Sequence, residues 1–191
     1  MKMKLLHIVV LVSFFIVCFA PAASTQEDQE SNHYSGVAMG TGGSVGGKTL
    51  QFDFRITQFT TDAEVQQFAQ LVKEKGTDAL RRALEKEDKG RFNIVGSTGT
   101  PIAVARKRQQ GPNTIITIVT ARTMSFAELY NNGRSTSYPF GFLQVTLNDK
   151  GEGTGQIMAA AKIRFDKKKG EYQIESYGNQ YVKATNIRPW N

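Results

Sequence analysis

The sequence predicts an α+β domain built mostly from antiparallel strands: a strongly curved sheet or barrel with a two-helix insertion after an early strand. Three observations carry that expectation. Six to eight segments alternate apolar and polar residues with period two and are joined by short turns rich in Gly, Asn and Asp. Helical spacing is convincing in one stretch alone, from Thr61 to about Asp88. Twelve Phe and a 40% hydrophobic composition require a buried face. An antiparallel sheet buries such a face against helices, or by curling on itself and so removing its edges. An open α+β layer is the alternative.

The elements follow in order. Lys2 and Lys4 precede a nearly unbroken apolar run from Leu5 to Ala20, and Ala20-Pro21-Ala22 supplies the small residues of a cleavage site. This predicts a signal peptide over 1–22, with the exact cut open by two or three residues, and a run too short for a mature membrane span. Cys18 invites a lipoprotein reading, but Val17 stands where that processing takes Gly or Ala. Residues 23–33 hold Glu27, Asp28 and Glu30 among polar neighbours and predict a disordered lead-in. A single β-rich domain over 34–191 follows.

Tyr34–Met39 suggests a short strand and Gly40–Gly47 a glycine-rich flexible loop. Leu50, Phe52, Phe54 and Ile56 then alternate with Gln51, Asp53, Arg55 and Thr57, the clearest strand in the chain. Thr61 and Glu64 form a capping-box pair that opens a helix, whose stripe is Val65, Phe68, Ala69 and Val72. Gly76 is placed to close it in a left-handed conformation, and Thr77 to cap a second helix reaching about Asp88. Downstream come a strand around Ile102 and Val104, the β-branched run Thr114–Arg122, and the ambiguous Ser125–Tyr130. A polar loop over Asn131–Tyr138 precedes strands at Phe140–Leu147, Ile157–Phe165, Tyr172–Tyr177 and Tyr181–Ile187. Turns at Gly111, Asn148–Gly151 and Asp166–Gly170 separate most of them.

Composition removes several chemistries. Cys18 and His7 leave with the leader, so the mature chain has no thiol and His33 is its one imidazole. A cysteine nucleophile, a triad built on a buried His, and a His- or Cys-rich metal site are therefore not expected, and no cofactor is called for. The net charge of +7 becomes +5 without Lys2 and Lys4, and +8 once the three lead-in acids are set aside. Such a balance favours anionic surfaces. Nucleic acid is not expected of an exported domain that lacks an aromatic stripe among its basic residues.

The motifs are weighed against plainer readings. Gly42 to Thr49 matches a phosphate-loop pattern, but period-two alternation follows Lys48, so a strand and not a helix N-terminus faces the loop. Arg106-Lys107-Arg108 and Lys167-Lys168-Lys169 sit at turns, where charges solvate tips; at a common end of the sheet they would make an anion patch. Asp53 and Glu175 are the best carboxylates for a hydrolase, which needs two acids facing across a cleft. Thr120 to Phe126 and Ser137 to Phe140 place aromatic and polar residues at strand boundaries, with Arg122 and Arg134 nearby. Arg122, Phe126, Arg134, Tyr138 and Phe140 are thus candidate ligand contacts, the alternative being an aromatic plug at a barrel end. The Tyr138-Pro139 bond suits a cis peptide.

These two boundary segments, the glycine-rich opening and the helix start Thr61-Asp62-Ala63-Glu64 resemble those of small exported bacterial proteins, a group without an assigned activity. The resemblance covers most of the mature chain and implies a bacterial, periplasmic or secreted single domain, and nothing about mechanism. The function expected is non-catalytic binding of a small, partly apolar ligand or of a cell-envelope component. Electrostatic attachment to anionic surfaces and carboxylate-dependent hydrolysis are the alternatives, and the oligomeric state is open.

Overall fold

Among the described residues nine strands and two helices follow one another along the chain. They are β1 (His33–Gly40), β2 (Thr49–Ile56), α1 (Asp62–Lys75), α2 (Thr77–Leu84), β3 (Gly90–Ile94), β4 (Thr100–Gln110), β5 (Asn113–Thr120), β6 (Phe140–Leu147), β7 (Gly153–Asp166), β8 (Glu171–Ser176) and β9 (Val182–Pro189). The structure, a computed structural model, describes residues 32–41, 47–124, 137–177 and 182–190. No helix among them is long and apolar enough to cross a membrane.

The strands hydrogen-bond in the order β6-β5-β4-β3-β2-β1-β9-β7, and a β6–β7 pairing closes the ring. Every pairing is antiparallel. The expected curved sheet is thus a closed eight-stranded barrel. β8 stays outside the ring: the first part of β7 pairs with β9 through Gly153–Ile157, and its last part pairs with β8 through Ala161–Asp166.

Alternation decides which side chains fill the ring. Phe52 and Phe54, Phe92, Ile102, Ile116 and Ile118, Leu143 and Leu147 all point inward and are almost fully buried. The interior of an eight-stranded barrel can be filled by side chains, and these residues form one buried cluster there. Each buried Phe contributes about 1.5–3 kcal/mol. Met124 is also fully buried in this cluster, with its amide donating to Ala159 O at 2.9 Å.

A second apolar layer lies outside the wall. Val72 of α1, with Leu80 and Leu84 of α2, packs on Ala103, Val119, Phe140, Phe142 and Ala161. The sequence rule for α1 holds at atomic detail: Glu64 N donates to Thr61 Oγ1 at 3.3 Å, and Thr61 N donates to Glu64 Oε2 at 2.7 Å.

Several local expectations need correction. Gly76 ends α1 with φ +80° and ψ −176°, extended in ψ and not a left-handed helical residue. It also precedes α2, and the Thr77 hydroxyl donates to Ile163 O at 2.8 Å instead of capping the helix. α2 stops at Leu84, because the chain must turn back to bring Lys89 N to Ile102 O at 2.7 Å. β3 is a strand the periodicity did not declare, being five residues with two inward apolar positions. Tyr138-Pro139 is trans, since no cis peptide occurs among the described residues. The core of the glycine-rich loop, 42–46, lies outside the described residues, and β2 follows Lys48 as the alternation required.

Candidate functional site: an outer groove beside Trp190

The ring topology brings the first and last strands together, and their outer faces build the site. β1 meets β9 with a register shift between Ser35 and Val37, and β9 meets β7 with another between Gly153 and Gly155. Both irregularities fall where β9 carries Asn186, which has φ +50°, the one positive value for a non-glycine among the described residues. Asn tolerates that conformation better than most residues, and such outliers gather at functional sites. The inward-facing partner is Gly36, where an added Cβ would lie 2.7 Å from Phe52 Cζ and 3.1 Å from Ile187 Cγ1.

Along this bent wall runs an open groove of about 990 Å³. Ser35, Val37 and Gln51 line it from β1 and β2, Val95 from the end of β3, and Thr185, Asn186 and Arg188 from β9. Asn148 and Glu152 of the β6–β7 turn close one side, and Trp190 the lower end. Among the described residues, the side chains of Gln51, Glu152 and Arg188 make no hydrogen bond or ion pair. They are exposed polar groups beside apolar Val37, Val95 and Trp190.

Trp190 is the chain's one tryptophan and is 49% exposed. A relay of contacts holds it. Asn93 Nδ2 donates to Asp53 Oδ1 at 2.9 Å, and the same oxygen lies 3.2 Å from His33 Nε2. The imidazole stacks on the indole, with centroids 4.9 Å apart and planes 13° apart, and Trp190 N donates to His33 O at 2.8 Å. Asp53 thereby orients His33, and His33 backs Trp190 as a flat platform.

The residues singled out from sequence are placed as follows. Arg122 is exposed and, with Glu85 and Glu87, lines a smaller pocket of about 250 Å³ under the end of α2. Tyr138 sits edge-on to Tyr177, centroids 5.3 Å apart. Phe140 is fully buried between the barrel wall and the helices, so it is a packing residue. Phe126 and Arg134 lie outside the described residues. Sequence reasoning did not find the groove, for its walls come from the two ends of the domain; the lone Trp190 behind Arg188-Pro189 was the available signal.

The carboxylate and basic candidates separate. Glu175 is held by Arg164 Nε at 2.6 Å on β8, and that ion pair raises the guanidinium's pKa. Asp53 lies on β2, three strands from β7 around the eight-strand ring. The β4–β5 tip beyond Arg106-Lys107-Arg108 and the β7–β8 tip with Lys167-Lys168-Lys169 lie at opposite ends of the barrel, because an odd number of strand reversals separates them. They form no joint anion patch. Arg106 is structural: Nη1 donates to Thr60 O at 3.0 Å and Nη2 to Asp62 Oδ1 at 2.5 Å. Among the described residues no group of three or more His, Cys, Asp or Glu is placed to hold a metal.

Fold and site together define a closed antiparallel barrel with a packed interior and an amphipathic groove on its wall. No family model, curated protein or solved structure matches the chain.

Proposed function

We propose that the chain is exported and acts as a non-catalytic binding domain, taking a small, partly apolar ligand or a cell-envelope component on the Trp190 groove. The carrying observation is the half-exposed indole, braced by His33, beside the exposed polar side chains of Gln51, Glu152 and Arg188. An apolar platform with a few convergent polar groups is the usual make-up of a ligand site. The buried cluster inside the ring, with Phe52, Phe54, Phe92 and Leu143, supports the outer wall as the ligand face.

The lone tryptophan supplies its own assay. Titration with soluble peptidoglycan fragments, and separately with short-chain phospholipid, should give a saturable change in Trp190 emission with one of the two. Arg188→Ala and Gln51→Ala should each weaken that binding about fivefold to tenfold, in line with one lost hydrogen bond to a ligand. Unchanged emission with both ligand classes, together with a bare apo mass in native mass spectrometry of gently purified protein, would overturn the reading.

A further inference from the structure

Building on the ligand-binding role of the Trp190 groove, we propose that its occupant is a neutral saccharide chain. One sugar ring lies on the indole, and an acetamido group further along the chain meets Gln51. Charge is the first constraint. The protein carries +7, yet among the described residues that line the groove Glu152 is the one acid and Arg188 the one base. Gly153 pairs with Ile187 across β7 and β9, so Glu152 and Arg188 occupy the next positions out on neighbouring strands. A phosphate that approached Arg188 would also meet the Glu152 carboxylate. A hydroxyl can donate to the carboxylate or accept from the guanidinium. Glu152 is also well placed, because Asn148 Oδ1 accepts from its amide and from that of Lys150, both at 2.9 Å. A groove without net charge in a basic protein favours a neutral polar ligand over an anionic headgroup.

The indole is the second constraint. Trp190 is stacked on His33 and still 49% exposed. The face of an aromatic ring is electron-rich. The C–H groups on one side of a pyranose carry partial positive charge, so a sugar lies flat against such a ring. An acyl chain calls for an enclosed apolar channel, whereas this groove is open and shares its lining between apolar and polar side chains.

Gln51 is the third. It stands opposite Val37 on one side, and on the other Val95 N donates to Gln51 O at 3.0 Å. Gln51 is exposed, and Val95 is 64% exposed. A primary amide between two valines matches an acetamido group: the amides exchange hydrogen bonds, and the acetyl methyl rests on a valine. The two contacts belong to different sugars. Trp190 N meets His33 O, His33 pairs with Arg55, and Gln51 lies four residues along β2 from Arg55. Ordinary sheet spacing sets Gln51 about 17 Å from Trp190, the reach of a short oligosaccharide and beyond that of one sugar. The groove of about 990 Å³ joins the two positions.

Isothermal titration calorimetry of the protein with a β-1,4-linked N-acetylglucosamine tetramer tests this. A β-1,4-linked glucose tetramer and a short-chain phosphatidylglycerol are the other arms. The acetylated tetramer should bind saturably, and the glucose tetramer about fivefold more weakly. The affinity for the acetylated tetramer should change by less than about twofold between about 0.05 and about 0.5 M NaCl, because no net charge is being paired. Trp190→Ala should weaken binding of both tetramers about tenfold. Gln51→Ala should abolish the preference for the acetylated one. Circular dichroism and the urea midpoint establish that both variants fold; if Trp190→Ala does not, the loss of preference in Gln51→Ala decides. Binding of the phospholipid with neither tetramer overturns the saccharide assignment and leaves the groove's binding role standing. Tetramer binding indifferent to both substitutions, or equal for the two tetramers in the wild type, overturns it as well. Heat in none of the three arms overturns the assignment, and the emission titrations above then decide the wider role.

Discussion

At the scale of single residues, the absence of a side chain at Gly36 governs how the wall closes. Its Cα faces inward, and the Phe52 ring occupies the space where a methyl group would sit. Phe52 stacks in turn with Phe92, centroids 5.5 Å apart, and with Phe54 at 6.4 Å. Those two rings limit how far it can retreat. Gly36→Ala should destabilise the domain by about 1–3 kcal/mol, the usual cost of overfilling a packed core, read as a lower urea midpoint at unchanged slope. An unaltered midpoint would mean that the ring moves aside. Gly90 shows the same principle against backbone: at φ +134°, a Cβ there would lie 2.0 Å from Arg55 O. The bare Cα at this position lets β3 start beside β2.

At the scale of elements, one buried cation joins the helical insertion to the barrel. Lys89 is 5% exposed and lies between α2 and β3. Its Nζ donates to Glu64 Oε1 at 2.7 Å, with Glu87 Oε2 at 3.6 Å and Gln58 Oε1 at 3.5 Å. The hydrogen bond from Lys89, then those from the Thr61 amide and hydroxyl, hold the Glu64 carboxyl down at about 2, against an ordinary 4.5. The same contact with Glu64 raises the Lys89 ammonium's pKa despite its burial. A depressed carboxyl stabilises the fold above its unfolded value, and that contribution fades as pH falls from about 4.5 towards 2. Lys89→Met keeps the apolar stem and removes the charge. Its stability should fall less steeply with pH across that window than the wild type's, as followed by urea unfolding at a series of pH values. Equal slopes would show that Glu64 owes its acidity to Thr61 alone.

What could be read in advance at this scale was local. The capping box of α1 spans four residues, and the turns at Gly111, Gly151 and Gly170 each need a positive φ, which all three adopt. Their physics is complete within a few neighbours. β3 escaped notice because Phe92 and Ile94 alone carry its alternation, and its strand character comes from Asp53 and Phe54 on one side and Thr100 and Pro101 on the other. α2 was overextended because its charged tail, Glu85–Asp88, suits a helix; the pull of Lys89 on Glu64, more than twenty residues away, ends it.

At the scale of the whole molecule, closure was foreseeable and the site was not. Apolar residues on alternating strands, Phe52, Phe54, Phe92, Phe140 and Phe142 among them, call for a ring or a helical cover, and the protein uses both: one cluster inside the wall, one beneath the helices. The groove depends on β9 lying beside β1, which no spacing along the chain encodes. The candidate residues at the β5–β6 boundary were sought on loops because loops usually carry function. The groove instead sits on the wall itself, where two shifts of register bend it.

The contact between Trp190 N and His33 O has a consequence for the order of the chain itself. The first strand starts where the last one finishes, so a short linker could join them without rearranging either. New termini cut into the β6–β7 turn, between Asn148 and Glu152, would leave every strand with its present neighbours. Such a circular permutant should fold to the same barrel, for what the architecture demands is a ring of neighbours and not a particular place to begin.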